Sequence, residues 1–183
     1  MAILMHMMRF IRTRHRLPLT IALAASFAVS AAEPLELAVK AAYLTKFGIY
    51  VEWPDTAPGS AINLCVAGED PFGKTLDSAA ASQQPGNRPI SVQRLKSVTP
   101  ESDCDIAYFG NADPTAPQAI ESLRGSPVLT VSDSGGKGAI INFVLKDNRI
   151  RFEIDEAAAA QNKLVLSAKL LSLALNVKPR PQP

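Results

Sequence analysis

The stretch that decides the fold is Gly138–Asp155, which reads GAIINFVLKDNRIRFEID. From Arg149 to Asp155 charged and apolar side chains alternate strictly, which is the period of a β-strand that buries one face. Asp147 and Asn148 both tolerate positive φ, so they fit the centre of a two-residue hairpin turn. The stretch therefore predicts an antiparallel β-hairpin with one apolar face.

That turn also fixes the register of the hairpin. Cross-strand partners point to the same face, so six apolar side chains meet on one side. A slip of one residue would turn the apolar residues of one strand toward solvent. The predicted pairs are Leu145 with Ile150, Phe143 with Phe152, and Ile141 with Ile154.

The first 32 of the 183 residues differ in composition from the rest. Four arginines precede an apolar run of 13 residues, Leu17 to Val29, and small residues follow, which is the layout of a secretory signal peptide. At about 1.5 Å per residue the run is too short to span about 30 Å of hydrocarbon. We predict a signal peptide over residues 1–32, cleaved near Ala32, and a periplasmic product, with an uncleaved anchor as the alternative.

Removal of this leader changes the charge and the chemistry of the chain. It leaves 15 Lys and Arg against 17 Asp and Glu, a net charge of −2, so nucleic-acid binding has no electrostatic support. Both histidines, His6 and His15, lie in the leader. Ser-His-Asp and Cys-His catalysis and histidine-ligated metal sites are therefore excluded. We predict a non-enzymatic protein with no catalytic residues, no metal and no cofactor.

Two acidic pairs, Glu69-Asp70 and Asp103-Asp105, are the nearest approach to catalytic carboxylates. Acid–base chemistry needs two such groups held in a cleft with shifted pKa values, which proximity in sequence does not provide. Asp70 precedes Pro71, an arrangement typical of a helix N-cap followed by proline at the first helical position. We therefore predict that these residues cap helices or face solvent.

Predicted helices and strands alternate between the leader and the hairpin, which is typical of parallel βαβ units. The hairpin adds an antiparallel portion. We predict an α/β fold, a three-layer mixed β-sheet of about six strands flanked by helices and ending in an antiparallel hairpin, within one domain over residues 33–177. The predicted elements are a helix over 35–51 with Lys40, Lys46 and Glu52 facing solvent, strands near 61–67, 90–95, 105–109 and 127–131, and helices through 76–81 and 119–123.

The residues after the hairpin read as two helices and a tail. Asp155 is a suitable N-cap for a short helix that ends near Asn162, and Ser167 is a suitable cap within the last helix, which we place over 164–177. Residues 178–183, rich in proline, are predicted to be a disordered tail.

Cys65 lies in the first predicted strand and Cys104 just before the third. Two cysteines in an exported chain most often pair, and neighbouring strands would bring these two within reach. A structural disulfide is the favoured interpretation. A reactive thiol is the alternative, although no cationic or helix-terminal environment is evident.

Aromatic residues gather near the exit of the first helix. Core packing is the default for such residues, but an exposed Trp-Pro corner is a candidate contact or small aromatic-ligand site formed by Tyr43, Phe47 and Trp53. In a parallel sheet, a ligand is also expected at the carboxyl ends of the strands, here near Gly68–Phe72 and Gly110–Pro114.

Four parts of the chain carry a family resemblance: Lys40–Pro54, Leu64–Gly73, Cys104-Asp105, and the hairpin with the two segments after it. Together they resemble the YfiR family of small periplasmic proteins. The resemblance implies a mixed α/β domain that dimerises, a disulfide between Cys65 and Cys104, and repression of an inner-membrane diguanylate cyclase through its periplasmic sensor domain. It further implies low cyclic di-GMP and low biofilm formation, relieved when an outer-membrane lipoprotein sequesters the repressor. A second cysteine pair found in the best-known member has no counterpart here.

From this resemblance we predict a protein-binding regulator whose partner contacts the hairpin and the segment after it, around Phe152, Ile154, Leu166 and Lys169. The alternative function is a periplasmic sensor module that binds a small ligand.

Overall fold

The computed structural model describes residues 32–54, 60–82, 88–110, 113–133 and 138–181, so the predicted signal peptide, apart from Ala32, lies outside the described residues. Its elements, in chain order, are α1 (Ala32–Phe47), β1 (Val51–Glu52), β2 (Ile62–Ala67), α2 (Lys74–Ala81), β3 (Ile90–Leu95), β4 (Ile106–Phe109), α3 (Ala116–Ser122), β5 (Leu129–Asp133), β6 (Ile141–Lys146), β7 (Arg149–Asp155), α4 (Glu156–Gln161), β8 (Val165–Leu166), α5 (Ala168–Leu173) and β9 (Asn176–Lys178).

A seven-stranded mixed sheet organises the fold, in the order β3-β2-β4-β5-β6-β7-β9. Neighbouring strands are parallel except β6 and β7, which form the antiparallel hairpin. The predicted fold class is confirmed. The hairpin is not the last part of the sheet, however, because β9 adds a strand beyond β7. A separate antiparallel ribbon joins β1 to β8.

Helices cover both faces of this sheet, which makes three layers. Along β2, Leu64 and Val66 enter a core shared with α1 and α2, whereas Cys65 and Ala67 enter a second core shared with α3. Central strands buried on both faces carry nearly continuous apolar runs, as β4 does with the sequence IAYF.

The connection between the parallel strands β5 and β6 consists of residues 134–140 alone. A helical crossover between parallel strands takes a dozen residues or more. The connection between β5 and β6 is therefore too short for the βαβ unit that the sequence pattern predicts. Within the described part of the connection, the Ile140 N–H donates to Thr130 Oγ1, and Ala139 and Ile140 are buried.

The hairpin has the predicted register in every pair. Ile141 lies opposite Ile154, Phe143 opposite Phe152, and Leu145 opposite Ile150. Asp147 and Asn148 have φ values of 49° and 56°, the left-handed conformation that a two-residue turn of this kind requires.

The predicted disulfide between Cys65 and Cys104 is present, with the two Cα atoms 5.9 Å apart. β2 and β4 are adjacent, with Leu64 opposite Ile106, so a cysteine two residues before β4 lies within reach of β2. The bond therefore fastens the segment just before β4 to the middle of β2.

The segment after the hairpin differs from the predicted pair of helices. Asp155 caps α4 by accepting from the Ala158 N–H, and Ser167 caps α5 by accepting from the Leu170 N–H, as predicted. The single helix predicted over 164–177 is instead β8, α5 and β9. Lys178, where the sequence predicts a tail to begin, is the last residue of β9 and its Nζ donates to Asp155 Oδ2 over 2.7 Å.

The start of α2 also differs from the prediction. Asp70 accepts from the N–H groups of Phe72 and Gly73 and pairs with Arg94, but α2 begins later, at Lys74. Asp70 therefore stabilises the turn that leads into the helix and does not cap the helix itself.

Candidate functional site

Three of the four predicted partner-contact residues are in the hydrophobic core. Phe152 and Ile154 are buried on the face of the hairpin that joins the core shared with α1 and α5, and Leu166 of β8 is buried in the same core. Lys169 is exposed, and its Nζ lies 5.5 Å from the centroid of the Tyr50 ring. The alternation in β7 correctly gives one apolar face, but the protein itself covers that face around Phe152 and Ile154.

Other large apolar side chains are exposed, among them one near the turn of the hairpin and two in or just after α5. Leu145 is 61% exposed, Leu173 is 48% exposed and Leu175 is 41% exposed. The Leu175 N–H donates to the Phe152 carbonyl, which places Leu175 beside β7, two residues along the strand from Ile150. Together with Ile150, opposite Leu145, these residues form what we call the tip patch.

The other face of the hairpin end is basic. Lys146, Arg149 and Arg151, which we call the tip cations, are exposed or half-buried, and none has an ion pair within the described ranges. Lys146 and Arg149 lie directly opposite each other. Like charges in that position destabilise a sheet, so this pair costs stability in the isolated chain.

Tyr43 and Phe47 belong to the core and not to an open aromatic site. Both rings pack against the hairpin pair Phe143 and Phe152, with centroids 5.3–6.1 Å apart. Trp53 is buried in the same core cluster, but it also lines a cavity whose walls include neither of them. The structure therefore does not bring together the three predicted aromatic residues as one site.

The cavity beside Trp53 has a volume of about 400 Å³ and lies at the amino ends of β2, β4 and β5. The Arg88 guanidinium lies 5.5 Å from the Trp53 ring and donates to Ser60 O, Ser60 Oγ and Ala61 O. Cation–π stacking and these bonds hold the cation at the cavity wall. We call this space the amino-end cavity.

Other polar groups that line the amino-end cavity hydrogen-bond to one another. Asp105 Oδ2 accepts from the Asn63 N–H over 2.7 Å, and Asn63 Nδ2 donates to Asp103 Oδ2. Cys104 of the disulfide also lines the space. The predicted acidic pair Asp103-Asp105 thus joins the start of β2 to the start of β4.

The carboxyl ends of the strands, where a ligand is predicted, border a smaller cavity of about 210 Å³. Its walls include Gly68, Glu69, Gly110 and Asp113. Asp113 Oδ1 accepts from the N–H and the hydroxyl of Thr115, so this carboxylate organises the start of α3.

A buried ionic cluster, which the sequence analysis missed, lies at the carboxyl end of β5. Lys40, predicted to face solvent, is only 4% exposed and pairs with Glu36 and, over 2.7 Å, with Asp133. The Tyr108 hydroxyl donates to the same Asp133 oxygen over 3.1 Å. No sequence signal could reveal this cluster, because Lys40 and Asp133 are 93 residues apart.

Burial and charge shift two pKa values in this cluster. Burial disfavours the Lys40 cation, but the hydrogen bonds and charges of Asp133 and Glu36 outweigh burial and raise the pKa of Lys40. Burial, followed by the Asp133 charge, raises the pKa of Tyr108 well above its ordinary value. Lys40 is therefore charged and Tyr108 neutral at neutral pH, which suits a structural role better than acid–base chemistry.

The part of the chain that the structure describes contains neither a metal-binding cluster nor a membrane-spanning helix. No group of three or more His, Cys, Asp or Glu side chains is placed to hold a metal ion within those residues. Among the helices in the same ranges, none combines the length and apolarity needed to cross a membrane.

Comparison with known proteins supplies the family. A family model described as YfiR/HmsC-like (DUF4154) matches residues 37–175, which is well over half of the chain. The chain belongs to the YfiR/HmsC-like family. Among curated proteins, none matches this chain.

Membership of the YfiR/HmsC-like family indicates a regulatory role. The family is periplasmic and regulatory, not catalytic, and it is associated with diguanylate cyclase signalling through the periplasmic sensor domain of a signalling protein. The matched range contains the disulfide, the hairpin and the tip patch.

Proposed function

We propose that this protein is an exported, non-enzymatic regulator that binds the periplasmic sensor domain of an inner-membrane diguanylate cyclase and represses it. The family match over residues 37–175 carries the proposal. Repression would keep cyclic di-GMP low and so limit biofilm formation. The leader over residues 1–32, cleaved near Ala32, would deliver the protein to the periplasm.

The polar side chains of the described residues are consistent with a binding role. The acidic pairs of the sequence hold loops and strand ends, and the buried Lys40 and Tyr108 are fixed in one ion cluster. None of these groups lies opposite a nucleophile in a cleft, as general acid–base chemistry would require.

Two further partners complete the proposal. We infer a homodimer and, as the release mechanism, an outer-membrane lipoprotein that competes with the cyclase for the regulator. Both inferences come from the family, and sedimentation analysis of the mature chain, alone and with the lipoprotein, tests them.

Affinity capture tests the main proposal. The mature chain, residues 33–183, would be immobilised and exposed to detergent-solubilised membranes from the source cells. The expected result is that a membrane-bound diguanylate cyclase is retained and that free mature chain in solution displaces it. Retention of no cyclase, or retention that the competing chain does not reduce, would refute the proposal.

A second candidate function is supported by the amino-end cavity, which is large enough for a small molecule and carries an arginine and a tryptophan on its wall. Here the chain would be a sensor module that binds a small ligand. A thermal-shift screen of metabolites separates the two functions, since a specific ligand at 100 times its Kd stabilises a protein by about 2.7 kcal/mol. In the wild-type chain the shift should then exceed that in an Arg88→Ala variant.

A further inference from the structure

We propose that the hairpin end, formed by the tip patch and the tip cations, is a docking surface for an acidic protein face with an apolar centre. This inference rests on the proposed function, because the acidic face is assigned to the cyclase sensor domain. The surface is formed by exposed neighbours of the buried residues that the sequence predicts as partner contacts.

The tip patch supplies the apolar part of this surface. Within the described residues, six large apolar side chains are exposed, and Leu145, Leu173 and Leu175 of the tip patch are three of them. Isolated exposed leucines are ordinary, but adjacent ones mark interaction surfaces. Leu145 continues the face that carries the buried Phe143, so the core face of the sheet extends past its own cover at this point.

The tip cations supply the charged part of this surface. Arg149 and Arg151 lack an ion pair with any described residue, unlike Arg94, Arg124 and Arg180, each of which has a carboxylate partner. The isolated chain thus leaves two arginines uncompensated at one place.

The turn offers little compensation for these charges. Asp147 is the only carboxylate between Lys146 and Arg151, so three cations face one anion there. The cross-strand pairing of Lys146 with Arg149 adds a repulsion within the hairpin. A partner carboxylate bound between them would relieve that repulsion, which is a specific reason for an acidic partner.

The arrangement favours a protein over a lipid surface. Successive residues of a strand point to opposite faces, so Leu145 and Ile150 lie on one face and Lys146, Arg149 and Arg151 on the other. A flat bilayer would meet only one of these faces at a time. A protein surface can contact both sides of a projecting hairpin.

Charge reversal gives a test in which binding and stability move in opposite directions. Arg149→Glu would place an acid opposite Lys146 and should leave the hairpin at least as stable in urea unfolding. Binding to the acidic partner should nevertheless weaken, with an association rate lower by about tenfold at low salt and a smaller difference at high salt. The probes are the purified periplasmic domains of the membrane-bound diguanylate cyclases encoded in the same genome.

Matched controls distinguish an effect of the hairpin end from a general effect of charge reversal. Lys74→Glu and Lys96→Glu reverse exposed cations near the opposite edge of the sheet, beside β3, and should leave binding unchanged. For the apolar half, Leu145→Ser should weaken binding about tenfold, a loss typical of an interface contact, whereas Leu35→Ser should not.

The possible outcomes distinguish failure of the proposed function from failure of the docking surface alone. If the wild-type chain binds no sensor domain, the proposed function fails and the inference fails with it. If the wild type binds but Arg149→Glu and Leu145→Ser bind equally well, only the docking surface is refuted. Unchanged domain binding, together with loss of binding to phosphatidylglycerol vesicles by Arg149→Glu, would assign the tip to the membrane and also overturn the inference.

Discussion

Lys40 illustrates how much a single residue contributes that the sequence pattern does not reveal. Helical periodicity treats lysine as a surface residue, and the sequence therefore predicts that Lys40 faces solvent. In the fold, α1 crosses the carboxyl end of β5, where Asp133 accepts from both Lys40 and Tyr108. A lysine can be buried only with such a partner, because an unpaired charge in the core is costly.

Replacement of Lys40 by methionine tests this cluster. The change keeps the aliphatic stem but removes the cation that pairs with Asp133, so we expect a loss of about 3 kcal/mol in the free energy of unfolding in urea. Lys46→Met, an exposed position on the same helix, should change it by less than about 0.5 kcal/mol. A loss below about 1 kcal/mol for Lys40→Met would contradict a buried ion pair.

The stability difference between the wild type and Lys40→Met depends on pH with a definite sign. The pKa of Lys40 is raised in the folded state, so its contribution is fully present below the unfolded value of about 10.4. It is lost as pH rises through the higher folded value. The stability gap between wild type and Lys40→Met should therefore be constant from about pH 7 to 9 and shrink above pH 10.4. A gap that grows with pH in that range would contradict the assignment.

At the scale of elements, the hairpin is the part that sequence predicts best. Period-two alternation and a turn that needs positive φ are both local signals, and they agree on a single register. The strands β8 and β9 have two and three residues, too short to show a period. Sequence also reveals which side of β7 is apolar but not what covers it, which is why Phe152 and Ile154 were predicted as contacts and are core residues.

Substitution of the turn tests that local account. Asn148 has φ of 56°, a conformation that glycine adopts freely and alanine does not. We expect Asn148→Ala to lower the free energy of unfolding by about 1 kcal/mol and Asn148→Gly to leave it unchanged or raise it slightly. Chemical denaturation of the three chains measures both. Equal stability of the alanine and glycine variants would show that the turn does not constrain the hairpin.

At the scale of the whole molecule, the disulfide joins β2 to the segment just before β4, across 39 residues of sequence. The chain-entropy argument values a loop of this length at about 4 kcal/mol. In a domain of this size each 1 kcal/mol shifts Tm by about 2–4 °C, so the Cys65→Ala/Cys104→Ala variant should melt about 10 °C lower. A decrease below about 3 °C would contradict a stabilising role for the bond.

The same variant separates stability from binding. Cys104 lines the amino-end cavity, and the tip patch is built from β6, β7 and the segment around Leu175. At a temperature where the variant remains folded, its affinity for the partner domain should equal that of the wild type.

Compartment and cysteine number predict the disulfide, and strand–helix alternation predicts a mixed sheet in three layers. The parallel join of β5 to β6 through residues 134–140 departs from the general rule for crossovers, so pattern alone could not predict it. The sequence could not predict the candidate docking surface either, because the exposure of Leu145, Leu173 and Leu175 depends on tertiary packing and not on local pattern.

The most direct test of the central claim is the cyclic di-GMP content of the source cells. Deletion of the gene should raise cyclic di-GMP, the full chain should restore the low level, and a chain starting at residue 33 and confined to the cytoplasm should not. Unchanged cyclic di-GMP after deletion, or full restoration by the cytoplasmic chain, would contradict the account.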